Sequence, residues 1–168
     1  MASLGYLTLL AAFVACSYAA AVSVAGARRR SPRLIESGVG AFYVVTALML
    51  LASAVIVHAF VTEDYSIVYV DHYSDSAQPL FYQITSYWGG LDGSIMFWVT
   101  LLSIFGASAV YSNRERQREL IPYVVAVIAV VQMFFLFVMI MHKNPFSTYL
   151  TQAPFDGRGL NPLLQNPY

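Results

Sequence analysis

The sequence predicts an all-α membrane protein with four transmembrane helices, and three observations carry that prediction. Hydrophobic residues make up 58% of the 168 residues and charged ones only 11%, with a mean hydropathy of +0.62. That is the composition of a chain embedded in lipid rather than water. The apolar residues gather into four runs of about 20, the length that crosses a hydrocarbon core of roughly 30 Å. The charges fall between the runs and separate by sign, as they do in loops on opposite sides of a membrane. The whole chain, 1–168, is read as one membrane domain, with helices over about 4–27, 37–61, 93–111 and 120–141, an outer loop over 62–92 and an outer tail over 142–168.

Leu4 to Ala27 is almost unbroken apolar sequence and supplies the first helix. Ala19 to Ala21 has the small residues of a signal-peptide cleavage site, but no Lys or Arg precedes the apolar run, so a retained helix is the better reading. Arg28, Arg29, Arg30 and Arg33, with Pro32 among them, form a short basic turn. The second helix runs from about Ser37 to Val61. From Thr62 to Tyr87 the chain carries Glu63, Asp64, Asp71 and Asp75 but no Lys or Arg, and is read as an exposed loop. Within it the β-branched and aromatic stretch Tyr65 to Val70 suggests extended chain, and Pro79 to Tyr87 a short interfacial helix. The third helix ends at the charged run Asn113 to Glu119, and the fourth tolerates Pro122 in its first turn.

Seven of the nine basic residues sit in the two short turns, as Arg28, Arg29, Arg30, Arg33, Arg114, Arg116 and Arg118; Lys143 and Arg158 lie on the other side. Positive-inside then places both turns in the cytoplasm and both termini outside, which in a Gram-negative cell is the periplasm. The formal net charge is zero, and no basic stretch interleaved with aromatics points to nucleic acid. The single Cys16 excludes an internal disulfide and a multi-cysteine metal site, and is read as a small packing residue. No phosphate loop, nucleophile elbow or paired intramembrane carboxylates are present, so the sequence offers no catalytic residues of its own.

The densest stretch is Trp88 to Trp98, Trp-Gly-Gly-Leu-Asp-Gly-Ser-Ile-Met-Phe-Trp. On one continuous helix Trp88, Leu91, Ile95 and Trp98 would share a face, and Gly89 and Gly93 would form a small-xxx-small notch. Asp92 or Ser94 would cap the helix, and the indoles would sit at the interface. Among the histidines, His58 and His142 fall near the outer ends of helices two and four, where a bis-histidine haem would need them, although interfacial solvation accounts for each more simply. His72 is read as solvated.

The run Gln78-Pro-Leu-Phe-Tyr-Gln-Ile-Thr-Ser-Tyr-Trp88, continued through Trp98, resembles the N-terminal part of the cytochrome c-type biogenesis protein CcmF family, the haem lyases of bacterial cytochrome c maturation. Ala59-Phe-Val-Thr-Glu-Asp-Tyr-Ser-Ile-Val-Tyr-Val70 resembles that family's entry to its first periplasmic loop. Asn144-Pro-Phe146 and Asp156-Gly-Arg-Gly-Leu-Asn-Pro-Leu-Leu-Gln-Asn-Pro-Tyr168 resemble the run leading to its first periplasmic haem-ligand histidine. The resemblance implies a multi-pass protein of the bacterial inner membrane that helps deliver haem and attach it to apocytochrome c.

It further implies that haem is bound mainly by parts of the family beyond Tyr168, so that the chain is catalytically incomplete alone. The implied partners are the remainder of the lyase or a subunit carrying its tryptophan-rich domain, a haem carrier and apocytochrome c. On this basis Trp88, Gly89, Gly90, Asp92, Gly93 and Trp98 are expected to support the haem platform, and Asn161, Pro162 and Gln165 to contact a partner. No metal ligand is expected unless His58 and His142 serve a small four-helix b-type cytochrome or a quinone-reactive membrane anchor, which is the competing function.

Overall fold

The computed structural model describes residues 1–149; Asn161, Pro162 and Gln165 lie outside that range. Four long helices dominate: α1 (Ala2–Arg29), α2 (Pro32–Val61), α5 (Leu91–Asn113) and α6 (Ile121–Met141). All four are long and apolar enough to cross a membrane. Two short helices, α3 (Val68–Tyr73) and α4 (Leu80–Thr85), and a 3₁₀ turn at Ser86–Trp88 fill the loop between α2 and α5.

The long helices close into a ring. α1 lies against α2 and α6, and α5 lies against the same two from the other side. Each helix turns inward a seam of buried residues spaced alternately three and four apart. On α1 the seam is Gly5, Leu9, Ala12, Cys16, Ala19, Ser23 and Gly26; on α2 it is Gly38, Phe42, Val45, Met49, Ala52, Ile56 and Ala59. On α5 Gly93, Met96, Thr100, Ser103 and Val110 follow the same rhythm, as do Pro122, Val125, Ala129, Gln132, Leu136 and Met139 on α6. A seven-residue repeat is the signature of helices crossing at small left-handed angles. The outward faces stay apolar, with Val14, Val44, Trp98, Phe105, Val127 and Phe134 all exposed, as lipid-facing surfaces require.

Small residues let α1 and α2 approach closely at the arginine-rich end. A Cβ on Gly26 would stand 2.9 Å from the backbone nitrogen of Ile35, and one on Gly38 would overlap the Ser23 hydroxyl. The turn between them is tight. Arg30 adopts a left-handed conformation (φ 49°) and its N–H donates to the Ala27 carbonyl, Ser31 N–H donates to the Gly26 carbonyl at 3.0 Å, and Pro32 opens α2. This is the helix-ending geometry usually given to glycine, here taken by arginine. The second helix therefore begins five residues before the predicted Ser37, because nothing from Arg33 onward opposes helix.

Several buried polar side chains find partners on neighbouring helices, whereas the Ser23 hydroxyl on the α1 seam has none among the described residues. The Gln132 amide donates to Ser103 Oγ, and Cys16 Sγ lies 3.8 Å from Gln132 Oε1. Ser53 Oγ lies 2.9 Å from Thr100 Oγ1. Where lipid offers no hydrogen-bond partner, such pairs hold the helices in one register. Replacing Gly26 with Leu is expected to destabilise the detergent-solubilised chain by about 1–3 kcal/mol through overpacking. Gly40→Ala, whose new methyl meets open space, is expected to leave the melting temperature unchanged or raise it; equal losses in the two variants would refute the close-packing account.

Candidate functional site

The Trp-Gly-Gly stretch sits where α4, the 3₁₀ turn and α5 meet the outer loop, and Tyr69 of α3 organises it. Burial leaves Tyr69 only 3% exposed. Its hydroxyl accepts the Gly90 N–H at 3.0 Å and donates to the Tyr87 carbonyl at 3.1 Å. One phenol thus satisfies a donor and an acceptor on either side of the turn into α5. Its ring lies edge-on to Phe60 of α2 at 5.7 Å and tilted against Tyr73 at 4.7 Å. Burial pushes the Tyr69 hydroxyl above the ordinary tyrosine range, so it stays protonated and able to donate.

The glycines are required by these rings. A Cβ on Gly90 would overlap the Tyr73 ring, and one on Gly93 would overlap both the Tyr87 carbonyl and the Tyr69 hydroxyl. Gly89 is exposed and less constrained, with the nearest atom to its Cβ position the Ser86 carbonyl oxygen at 3.3 Å. The sequence pairing of Gly89 with Gly93 as a helical notch is thereby corrected: α5 begins only at Leu91, and the close-packed pair is Gly90 and Gly93.

Capping also differs from expectation. Gly90 in extended conformation is the N-cap of α5, with no side-chain cap bond. Asp92 lies in the first turn, where a carboxylate complements the helix dipole, and Lys143, just past α6, acts on it through charge. Ser94 instead donates to the Trp88 carbonyl at 2.8 Å, which ties the 3₁₀ turn to the helix that follows.

Trp88 belongs to that 3₁₀ turn, not to the helical face with Trp98. Its ring packs 5.4 Å from Phe97, and Phe97 meets Tyr87 edge-on at 5.7 Å. Trp88 remains 45% exposed and Trp98 69% exposed, so both indoles offer a face to whatever lies beside the bundle. Tyr87 is buried, and its hydroxyl reaches into the helices to Ser53 Oγ at 2.7 Å. The aromatic block is therefore anchored to the helix-spanning Ser53–Thr100 pair.

The loop beneath α3 is pinned by residues that follow α6. Ile67 forms an antiparallel bridge with Thr148, and Val68 N–H donates to the Ser147 carbonyl at 2.9 Å. The predicted extension of Tyr65 to Val70 is corrected here: only Ile67 pairs as a strand residue, and α3 starts at Val68 so that Tyr69 and Tyr73 stack one turn apart. Tyr149 Oη donates to Asp71 Oδ2 at 2.7 Å. Asp71 is only 2% exposed, and among the described residues its Oδ1 has no hydrogen-bond partner, nor does the buried Tyr65 hydroxyl.

His58 and His142, at the ends of α2 and α6, are both exposed, as is His72. Among the described residues no group of three or more His, Cys, Asp or Glu side chains forms a metal site. The sequence reading missed Tyr69, Tyr73 and Ser53. Tyr69 and Tyr73 carried a signal, a tyrosine pair at helical spacing close before a glycine-rich turn, whereas Ser53 carried none.

Two outcomes follow. Tyr69→Phe leaves the Gly90 N–H and Tyr87 carbonyl without their buried partner and is expected to cost about 1–3 kcal/mol, seen as faster hydrogen exchange at Gly90 than in the parent protein; unchanged exchange would remove Tyr69 from its central role. Burial, and then the charges of Glu63, Asp75 and Asp71, push Tyr65 up to about 12. Burial and the Asp71 contact do the same to Tyr149. Both folded values exceed the ordinary 10.0, so the folded loop holds its protons where an unfolded one would release them. Its stability is fully present below pH 10 and declines as pH rises towards 12, which a tyrosinate absorbance titration would follow.

No family model matches the chain. Similarity to characterised proteins is nevertheless extensive. The chain is 35% identical over 163 residues to the cytochrome c-type biogenesis protein CycK of Rhizobium meliloti, covering 97% of this chain and 24% of that protein. It is 29% identical to NrfE of Haemophilus influenzae, covering 97% of this chain and 26% of that protein. To CcmF of Pseudomonas fluorescens it is 37% identical over 120 residues. Among solved structures, the cytochrome c haem lyase CcmF superposes with a TM-score of 0.81 at 23% identity, over 90% of this chain and 25% of that one, which shows a shared fold. The chain spans about a quarter of the length of the curated relatives it matches. Over most of its length, then, this chain is homologous to the CcmF, NrfE and CycK cytochrome c-type biogenesis proteins.

Proposed function

We propose that this chain is the N-terminal membrane component of a cytochrome c haem lyase, acting as one membrane unit that scaffolds haem delivery and attachment to apocytochrome c. The observation that carries the reading is the aromatic block of Tyr87, Trp88 and Phe97, held rigid by Tyr69, in the stretch with the family resemblance. The seven arginines of the two short turns support an orientation with those turns in the cytoplasm and the block facing the periplasm of a bacterial inner membrane. The remaining helices and the tryptophan-rich domain would come from the rest of the lyase or from a partner subunit, and a haem carrier and apocytochrome c would meet the assembly on the same side.

The residues fit apolar contact with a porphyrin better than ligation of its iron. Trp88 and Trp98 present exposed ring faces, while no histidine lies between Trp88 and Trp98. Haem, when bound, supplies the vinyl groups that the thiols of apocytochrome c attack. This chain contributes position: Gly90 and Gly93 let α3 press against the turn, and Asp92 stands in the first turn of α5, within the electrostatic reach of Lys143.

The test is maturation of a c-type cytochrome by the complete lyase. Trp88→Ala and Trp98→Ala are expected to lower holocytochrome yield several-fold while the protein remains inserted, and the pair together more than either alone. Normal yield from the double variant would overturn the platform reading and leave a structural subunit. A reduced α band lost in His58→Ala would instead support the b-type cytochrome, a reading that the exposure of His58 and His142 does not favour.

A further inference from the structure

A groove of about 600 Å³ runs along the outside of the bundle between α1 and α2. It lies within helix lengths apolar enough to cross a membrane, and nothing in the haem-platform reading uses it. Short side chains make the hollow: Ala11 and Ala15 of α1 and Ala41 of α2 line it, with Val14 and Val44 beside them. The α1 side, from Ala11 to Tyr18, rises about 10 Å, or two turns. At the end marked by Tyr18, its hydroxyl oxygen lies 2.9 Å from Ser37 Oγ, so that one exposed hydrogen bond bridges the two helices. The outward faces of the other two long helices are built differently, from the exposed and bulky Trp98 and Phe105 of α5 and Val127, Phe134 and Phe137 of α6.

We propose that this groove seats one transmembrane helix of the remainder of the lyase, whether that remainder is continuous with this chain or carried by a partner subunit. The proposal rests on the haem-lyase reading and adds to it the face through which the bundle is joined to the rest. Three observations choose that occupant together. The chain corresponds to about a quarter of the length of its relatives, and the matching fold occupies 25% of the solved CcmF chain, so in a lyase of that size the bundle has further polypeptide to pack against. Helices associate in lipid through closeness of fit, which short side chains permit and long ones prevent; the hollow between α1 and α2 permits it, whereas the bulky faces of α5 and α6 suit fluid acyl chains. Tyr18 and Ser37 bring two hydroxyl protons to the single bond between them, which leaves one O–H to donate. An acyl chain has no acceptor for it, and a crossing helix has carbonyl and side-chain oxygens.

The experiment is photo-crosslinking in the complete lyase within its own membrane. Benzoylphenylalanine replaces Val14, which stands 66% exposed beside the groove, and the adducts are identified by peptide mass spectrometry. The expected adduct joins Val14 to one apolar, membrane-spanning segment of the lyase outside residues 1–168. Ala11→Phe fills the hollow from an exposed position and should lower that adduct at least five-fold while the chain stays in the membrane fraction. Val127→Phe adds the same ring to the outward face of α6 and should leave the adduct unchanged. A lipid adduct alone, an adduct to a second copy of this chain, or an adduct indifferent to Ala11→Phe would each overturn the docking face; maturation of a c-type cytochrome by the same membranes would then leave the haem-lyase reading standing. An adduct to a polypeptide unrelated to the lyase, in membranes that mature no cytochrome through this chain, would overturn both.

Discussion

Helices in lipid gain nothing from hiding apolar surface, because the surrounding chains are as apolar as the side chains; association has to come from closeness of fit and from polar contacts that lipid cannot satisfy. This constraint accounts for the architecture. Every long helix directs inward a seam at alternating three- and four-residue steps, and α1, with Gly5, Ala12, Cys16, Ala19, Ser23 and Gly26, is nearly all small. Its narrowness lets it nest against both α2 and α6. The bulk needed to fill the centre comes from the partner seams, through Phe42, Met49, Met96, Leu136 and Met139. Gln132, fully buried, adds direction to the fit, since its amide must face Ser103 and so fixes how α6 is rotated.

The loop end obeys a different rule. Here the chain carries many polar backbone groups close to the hydrocarbon boundary, and each needs a partner. Tyr69 supplies two of those bonds from one side chain, and Tyr87 extends the set into the helices through Ser53. The result is a continuous mechanical connection: α3 grips the turn, the turn positions Trp88 against Phe97, and the hydroxyl of Tyr87 ties the group to α2 and α5. The exposed indoles are carried by this frame and contribute little to it, as expected of residues kept for contact with something outside the bundle.

Much of this was legible in the sequence. Four apolar runs, their separation by charge and the tryptophan- and glycine-rich stretch located the long helices and the candidate site. Boundaries moved outward where helix-compatible residues such as Arg33 and Leu34 followed Pro32 directly. The local errors share one physical origin. Pairing Gly89 with Gly93 as a small-residue notch assumed that glycines serve helix–helix contact, whereas Gly90 precedes the helix as its N-cap and Gly93 makes way for Tyr69 of α3. Reading Tyr65 to Val70 as strand followed its β-branched composition, which was overridden by the stacking of Tyr69 on Tyr73. Contacts made across twenty or more residues leave no periodic trace, so Ser53 looked like any small residue in a transmembrane helix.

The segment after α6 has a bearing on how the protein is made. The Phe146 ring occupies the space where a Cβ on Gly5 would stand, and Ser147, Thr148 and Tyr149 bind α3 and the residue before it. The first turn of the first helix and the α3 part of the outer loop thus receive contacts from residues synthesised after the fourth helix. While the ribosome is still extending the chain, α1 and α2 can pair through their glycines at the arginine-rich end, yet their other end stays open. Assembly runs like a zip started at one end, and its last tooth is an aromatic ring that arrives only when all four helices are in the membrane.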